Sequence, residues 1–189
     1  MRFVEHALTR AGLGEILRAR RAGEIELIRA KLAEWKDADI LALGAVADIV
    51  RTEEVGNVVT IHREGEGVGV FWIDPQGATE LEVLRAVSIA RIAGPSRARI
   101  GIDWSRHGLE LAQVALGFGA SHLRGAITRK SGLPILEDES KKVKGQGNVS
   151  LASIKKQEIA ALVKHAGRVP AFADEMTSQP ELPEAAAHV

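Results

Sequence analysis

Cysteine is missing from all 189 residues. Its absence excludes disulfides, thiolate metal sites, cysteine nucleophiles and any iron–sulfur cluster held by this chain's own thiolates. A charge excess is missing too. Twenty-five basic and 25 acidic side chains cancel, so no global field favours nucleic acid or an anionic membrane surface. Nowhere do ~18 apolar residues follow one another, as a membrane-spanning helix needs. At the start, MRFVEHALTRAG sets Glu5, His6 and Arg10 where a signal peptide needs an unbroken apolar core. The expectation is a cytoplasmic protein with neither a nucleic-acid nor a membrane partner. None of the six histidines falls in a His-x-x-x-His or comparable pair with a carboxylate on one helix face, which leaves a metal site unsupported. No Gly-x-Ser-x-Gly elbow occurs, so serine hydrolase chemistry has no anchor. No cofactor is expected.

What is present is enough apolar sequence, 46% of the chain, for one well-buried core. A single α/β domain over 1–176 is expected, with N-terminal helices over 1–55, a mobile polar loop over 128–149 and a disordered tail over 177–189. In the first segment Leu13, Ile16 and Leu17 share one helical face and Arg18, Arg20 and Arg21 another. Asp37 or Asp39 caps a clearer helix in which Ile40, Leu43, Ala47 and Val50 recur at helical spacing, ending near Thr52. NVVTIH, residues 57–62, reads as a short β-branched strand, and REGEG as a hairpin-like connector into a second strand, VGVFWID. Thr79 and Glu82 form a capping box ahead of ELEVLRAVSIARI. ARIGIDW and SHLRGAI are further strands, separated by an apolar helix that should be packed on several sides. A short strand at Pro134 to Leu136 is a minor expectation. A last helix carries Ile159, Leu162 and Val163 and ends at Gly167, with Pro170 preventing continuation. Strand and helix alternate, as they do in βα units around a parallel sheet.

In such architectures ligands meet the C-terminal ends of the strands. That rule selects His62, Asp74, Asp103, Trp104 and the Ser-Arg-His-Gly turn that follows, with Arg129 beyond the last strand. Asp103, His107 and His62 are the candidates for acid–base chemistry, and Asp74, Trp104, Arg106 and His122 for ligand binding. Asp103, Arg106 and His107 in one turn offer a carboxylate, a guanidinium and an imidazole to a small anionic ligand. The plainer alternative makes Asp103 a helix cap and leaves the other two solvated. His122 begins a strand, normally the stabilising end, so a structural role is its plainer reading. Gly65, Gly67 and Gly69 lie between two strands with no helix start after them, and so do not make a phosphate loop.

Several stretches resemble the radical S-adenosylmethionine enzymes of the futalosine route to menaquinone, aminofutalosine synthase and dehypoxanthine futalosine cyclase. DADILALGAVADIVR resembles their "LLxLGALADAVR" helix before the first barrel strand. VFWIDP with ATELEVLRAVSIARI resembles a late strand and its helix. RIGIDWSRHGLELAQVALGFGASHLRGAI resembles the last strand and helix, "W-x-x-x-GLxLAQxALxFGANDxxG", and EIAALVKHAGRVPAFADE the closing "LIRxAGRVPVERD". The family's cysteine loop and the βα units that bind its cosubstrate have no counterpart. Here VVTIH runs through REGEG into the late strand, and Ser121-His122 stands where the family has Asn-Asp.

The resemblance implies an incomplete (β/α) barrel-like curved parallel sheet of about four strands, with flanking helices and an N-terminal helical segment. About eight strands close a filled barrel, so four leave one face open. That inner face is expected to be apolar, with Val59, Ile61, Val70, Trp72, Ile100 and Ile102, and to be covered by the N-terminal helices, a homo-oligomer or a protein partner. Three functions are compatible with this reading. The first is a non-catalytic, cluster-less remnant that binds a partner or a small polar metabolite, linked by the resemblance alone to menaquinone biosynthesis. The second is a small enzyme with a repurposed acid–base site. The third is half of a split radical enzyme.

Overall fold

The computed structural model describes residues 8, 12–128, 140–143, 147–150 and 154–176, the ribbon at 140–150 by its backbone alone. Four helices come first: α1 (Gly14–Arg21), α2 (Ile25–Ala30), α3 (Leu32–Trp35) and α4 (Ile40–Val55). Then follow β1 (Val58–Arg63), β2 (Phe71–Trp72), α5 (Glu80–Ala93), β3 (Ile100–Asp103), α6 (Trp104–His107), α7 (Leu109–Ala115), a 3-10 turn (Leu116–Phe118) and β4 (His122–Gly125). A two-stranded antiparallel ribbon, β5 (Ser140–Val143) and β6 (Gly147–Ser150), precedes α8 (Lys156–His165), β7 (Val169–Phe172) and α9 (Ala173–Met176).

Local chemistry sets most of these boundaries. Asp39 Oδ1 accepts from the amides of Leu41 and Ala42, both at 3.0 Å, and so starts α4. At α5 the Thr79 hydroxyl accepts from the Glu82 amide while the Glu82 carboxylate accepts from the Thr79 amide, closing the capping box. Gly119 ends the 3-10 turn at φ 102, a left-handed conformation that glycine adopts without a Cβ penalty. Helix α4 runs three residues beyond the expected end at Thr52, to Val55.

The main sheet has the strand order β2-β3-β4-β1-β7, and every pairing in it is parallel. Its edges among the described residues are β2 and β7, so it is an open sheet and not a closed barrel. The four expected strands are present. The fifth, β7, was not expected, because Pro170 reads in sequence as a stop; at a sheet edge its missing donor costs nothing.

Helices line one face. Val59, Ile61, Ile100, Ile102 and Leu123 form one core with Val83, Leu84 and Val87 of α5, Leu111, Ala112 and Ala115 of α7, and Ile159 and Val163 of α8. Strand side chains alternate between faces, so the opposite face carries Thr60, His62, Trp72, Gly101, Asp103, His122 and Arg124. The expected apolar inner face is therefore corrected. Val59, Ile61, Ile100 and Ile102 belong to the helix side, and the open side is polar.

The expected covering by N-terminal helices is corrected as well. Leu8, Leu13, Ile16, Leu17, Ile28 and Trp35 pack with Leu43, Val46, Val50 and Ile92, forming a second core behind α4 and α5. Arg20, which helical spacing groups with Arg18 and Arg21, is buried there. It donates to the carbonyl of Ile92 in the last turn of α5, to those of Gly94 and Pro95 just beyond it, and to both oxygens of Glu54. Helix α7 packs against the core through Leu111, Ala112 and Ala115 and reaches α8 through Gln113, but it is not enclosed, since Val114 is 48% exposed.

The connector is not a hairpin. β1 and β2 are parallel and separated by β3 and β4, a lateral step of roughly 14 Å at sheet spacing. Residues 64–70 make it without a helix and pass over the open face. A Cβ on Gly67 would lie 2.5 Å from Trp72 Cζ2, and the Trp72 indole donates to the Gly67 carbonyl at 3.3 Å. Of the expected mobile loop, 140–143 and 147–150 form the ribbon. The strand expected at Pro134 to Leu136, Arg129 and the tail over 177–189 lie outside the described residues.

Candidate functional site on the open sheet face

Register places the polar residues of the open face in two lateral rows. Trp72, Gly101, His122 and Thr60 stand side by side in one, and Asp103, Arg124 and His62 in the next. Trp72 lies across the sheet because Gly101 beneath it has no side chain; a Cβ there would sit 2.4 Å from Trp72 Cζ3. From that position the indole meets the edge of His62 at 5.7 Å between ring centroids and carries the Arg124 guanidinium 4.3 Å above its ring.

The two histidines are in direct contact. His62 Nε2 and His122 Nδ1 are 2.9 Å apart, and the rings stack at 5.2 Å between centroids. His62 is 9% exposed and His122 half-buried. Burial, the neighbouring His62 imidazole, and Arg99 and Arg91 push His122 down to about 4. Burial also lowers His62, against the pull of Glu66 in the crossing segment and with the help of Arg99 and Arg124. Both rings are thus neutral near pH 7, and a neutral imidazole can donate at one nitrogen and accept at the other.

Arg124 is anchored as well. Its Nε donates to Asp103 Oδ2 at 2.8 Å, and Asp103 Oδ1 accepts from the Ser105 amide at 2.9 Å. Asp103 therefore caps α6, as the plainer reading of the sequence has it, and pairs at the same time with Arg124, a partner that neither reading contained. Arg99 is exposed on the same face, two residues before Gly101, and its guanidinium has no hydrogen-bond partner among the described residues.

Other expected site residues fall elsewhere. Asp74, just past β2, pairs with Arg106, accepts from Gln76 and lies 3.2 Å from His107 Nε2. The His107 contact is an ion-pair distance without hydrogen-bond geometry, and His107 Nε2 is buried without a hydrogen-bond partner. These residues form a second, separate cluster beyond the strand ends. Trp104 is corrected from ligand contact to core residue. It is 3% exposed and fills the space above Gly125, where a Cβ would lie 2.3 Å from its Cε2. His122, a ligand-binding candidate whose plainer reading was structural, lies at the centre of this cluster, bonded to His62.

Sequence reasoning missed Trp72, Arg124 and Arg99 as site residues. A glycine in the middle of IGID opposite a tryptophan is a usable signal for a ring lying flat on a sheet, but only once the two strands are known to pair. Among the described residues no group of three or more His, Cys, Asp or Glu side chains is arranged to hold a metal ion, and no helix is long and apolar enough to cross a membrane. The class that fold and site define is an α/β protein with an open parallel sheet, helices on one face and a histidine–arginine–tryptophan cluster on the other. No family model, curated protein or solved structure matches the chain.

Proposed function

We propose that this chain is a barrel-derived protein without an iron–sulfur cluster that binds a small anionic metabolite on the polar face of its sheet. The observation that carries the reading is the convergence of His62, His122, Trp72 and Arg124 on one face beside Arg99, whose guanidinium is free of described partners. Neutral imidazoles supply hydrogen-bonding edges, the indole a flat wall, and the arginine a charge for a carboxylate or phosphate. A polar face of this kind is ill suited to the large apolar contact that an obligate subunit interface needs.

Barrel ancestry is supported by strand order. The last strands of a (β/α) barrel stand beside its first, and β2, β3 and β4 stand in that order beside β1. The link to menaquinone biosynthesis rests on the sequence resemblance alone. A second reading, an enzyme using this face for acid–base chemistry, is favoured by the bond between the two histidines.

The test is titration of the 15N-labelled full chain with inorganic phosphate, 2-oxobutyrate and succinate, followed by amide and imidazole shifts. Saturable shifts at residues 60–62, 72, 99–103 and 122–124, lost in Arg99→Ala, support the reading. Unchanged spectra with all three probes, together with a dimer by light scattering whose β1 and β4 amides are protected from exchange, would replace it with a subunit interface.

A further inference from the structure

The ring nitrogens of His62 and His122 are bonded to each other and to no other described group. Their outer nitrogens, His62 Nδ1 and His122 Nε2, have no partner among the described residues and are not among the sealed, unpaired polar atoms, so both reach solvent. With both rings neutral, one hydrogen sits between them. Whichever ring supplies it, one outer nitrogen then carries a hydrogen and the other a lone pair. A proton taken up at one end can therefore leave from the other.

We propose that the pair is a two-imidazole proton relay acting on a small carboxylate that bears an enolisable carbonyl, such as a 2-oxo acid. The proposal rests on the reading that this face binds a small anion, and it adds what is done to it. Arg99 takes the carboxylate. His62 Nδ1 removes a proton from the carbon next to the carbonyl, the C–H electron pair becomes the C=C bond, and the carbonyl π electrons move onto oxygen. His62 Nε2 passes its proton to His122 Nδ1, and His122 Nε2 gives its own to that oxygen. The product is the enol, and the pair is left in the opposite tautomer with neither ring charged. Return of the enol to the keto form runs the same path backwards and resets the pair, so no oxidant, metal or third reactant is needed.

The surroundings suit a neutral relay. The groups that face the pair are Trp72 from β2, Glu66 from the crossing segment, Arg99 just before β3 and Arg124 from β4, and Arg91 of α5 acts on it electrostatically from behind the sheet. Arginines and an uncharged indole outnumber the acids, since Glu66 is the one carboxylate acting on His62 and Asp103 in the same row is paired with Arg124, which disfavours an imidazolium at either position.

The experiment is deuterium wash-in at C3 of 2-oxobutyrate in D2O, followed by loss of the proton signal. Wild type is compared with His62→Asn, His122→Asn and the double variant, each checked for native circular dichroism. Asparagine keeps a polar side chain but cannot pass a proton through itself. Exchange at least about tenfold faster with wild type than with either single variant, and no further loss in the double variant, is the expected result. Single losses that add in the double variant, or exchange undiminished by either replacement, would overturn it. Binding of 2-oxobutyrate without exchange by wild type removes the relay and leaves the ligand reading standing; neither binding nor exchange removes both. Imidazole 15N spectra give a check independent of the ligand, because two rings titrating independently near pH 6.5 would sink a shared proton.

Discussion

On β4, Leu123 points into the helices with no exposed surface, while its neighbours His122 and Arg124 point the other way into a polar cluster. The same alternation runs through β1, where Ile61 is in the core and His62 in the cluster, and through β3, where Ile102 and Asp103 divide likewise. The two faces share a backbone but are held by different physics. The helix side is close-packed apolar surface, held by burial rather than by charge. The open side is a set of directional contacts among titratable groups, each dependent on its partner's charge state. The chain thus keeps its apolar core on one face and its titratable cluster on the other.

The comparison can be broken most sharply on the helix side. Leu123→Ala should cost about 2–5 kcal/mol, read as a fall in the denaturant midpoint, because its neighbours can only partly collapse into the space. A cost near zero would mean that the helix face is not the core. A smaller effect is expected from pH on the open side. His122 titrates in the folded chain near 4, below its ordinary value of 6.5. As pH falls through that window the unfolded chain takes up protons that the folded chain refuses, so stability is lost on acidification. The loss is on the order of 2–3 kcal/mol, and His122→Asn should flatten it in denaturation curves taken at a series of pH values.

Arg124→Gln comes next. It removes the bond to Asp103 and the stacking on Trp72 while leaving a polar side chain, for a loss of about 1–2 kcal/mol and a changed tryptophan emission. Emission unchanged from wild type would show that the guanidinium does not sit over that ring in solution. The smallest effect belongs to Arg106→Ala. Its side chain is 56% exposed, and its pairing with Asp74 lies outside both faces, so thermal stability should move by less than about 0.5 kcal/mol. A larger shift would mean that the cluster at the strand ends is coupled to the sheet.

How much of this was legible in the sequence follows from the range of each interaction. Thr79 with Glu82 acts within a few residues of itself and is placed correctly by the sequence, which also narrows the cap of α4 to Asp37 or Asp39, of which Asp39 is used. β7 was hidden because proline is read as a breaker unless the strand is known to lie at an edge. His107 and Asp103 sit in one turn and drew attention together, yet the partner of Asp103 is Arg124, which only strand pairing supplies. Trp104 looked like a ligand contact because it follows a strand end, and is instead the ring that Gly125 makes room for. Arg20, grouped with Arg18 and Arg21 by helical spacing, proved to reach the unpaired carbonyls at the end of α5.

The sequence alone determined that strands alternate with helices, where most elements begin, and that thiolate chemistry is closed to this chain. It determined these because propensity, capping and composition are local. Tertiary structure decided the order of the strands, and with it which face is open and which side chains share it. His62 and His122 are far apart in the chain and meet only because β1 lies next to β4; nothing in either stretch encodes that neighbour, since pairing is selected by the packing of the helices behind the sheet.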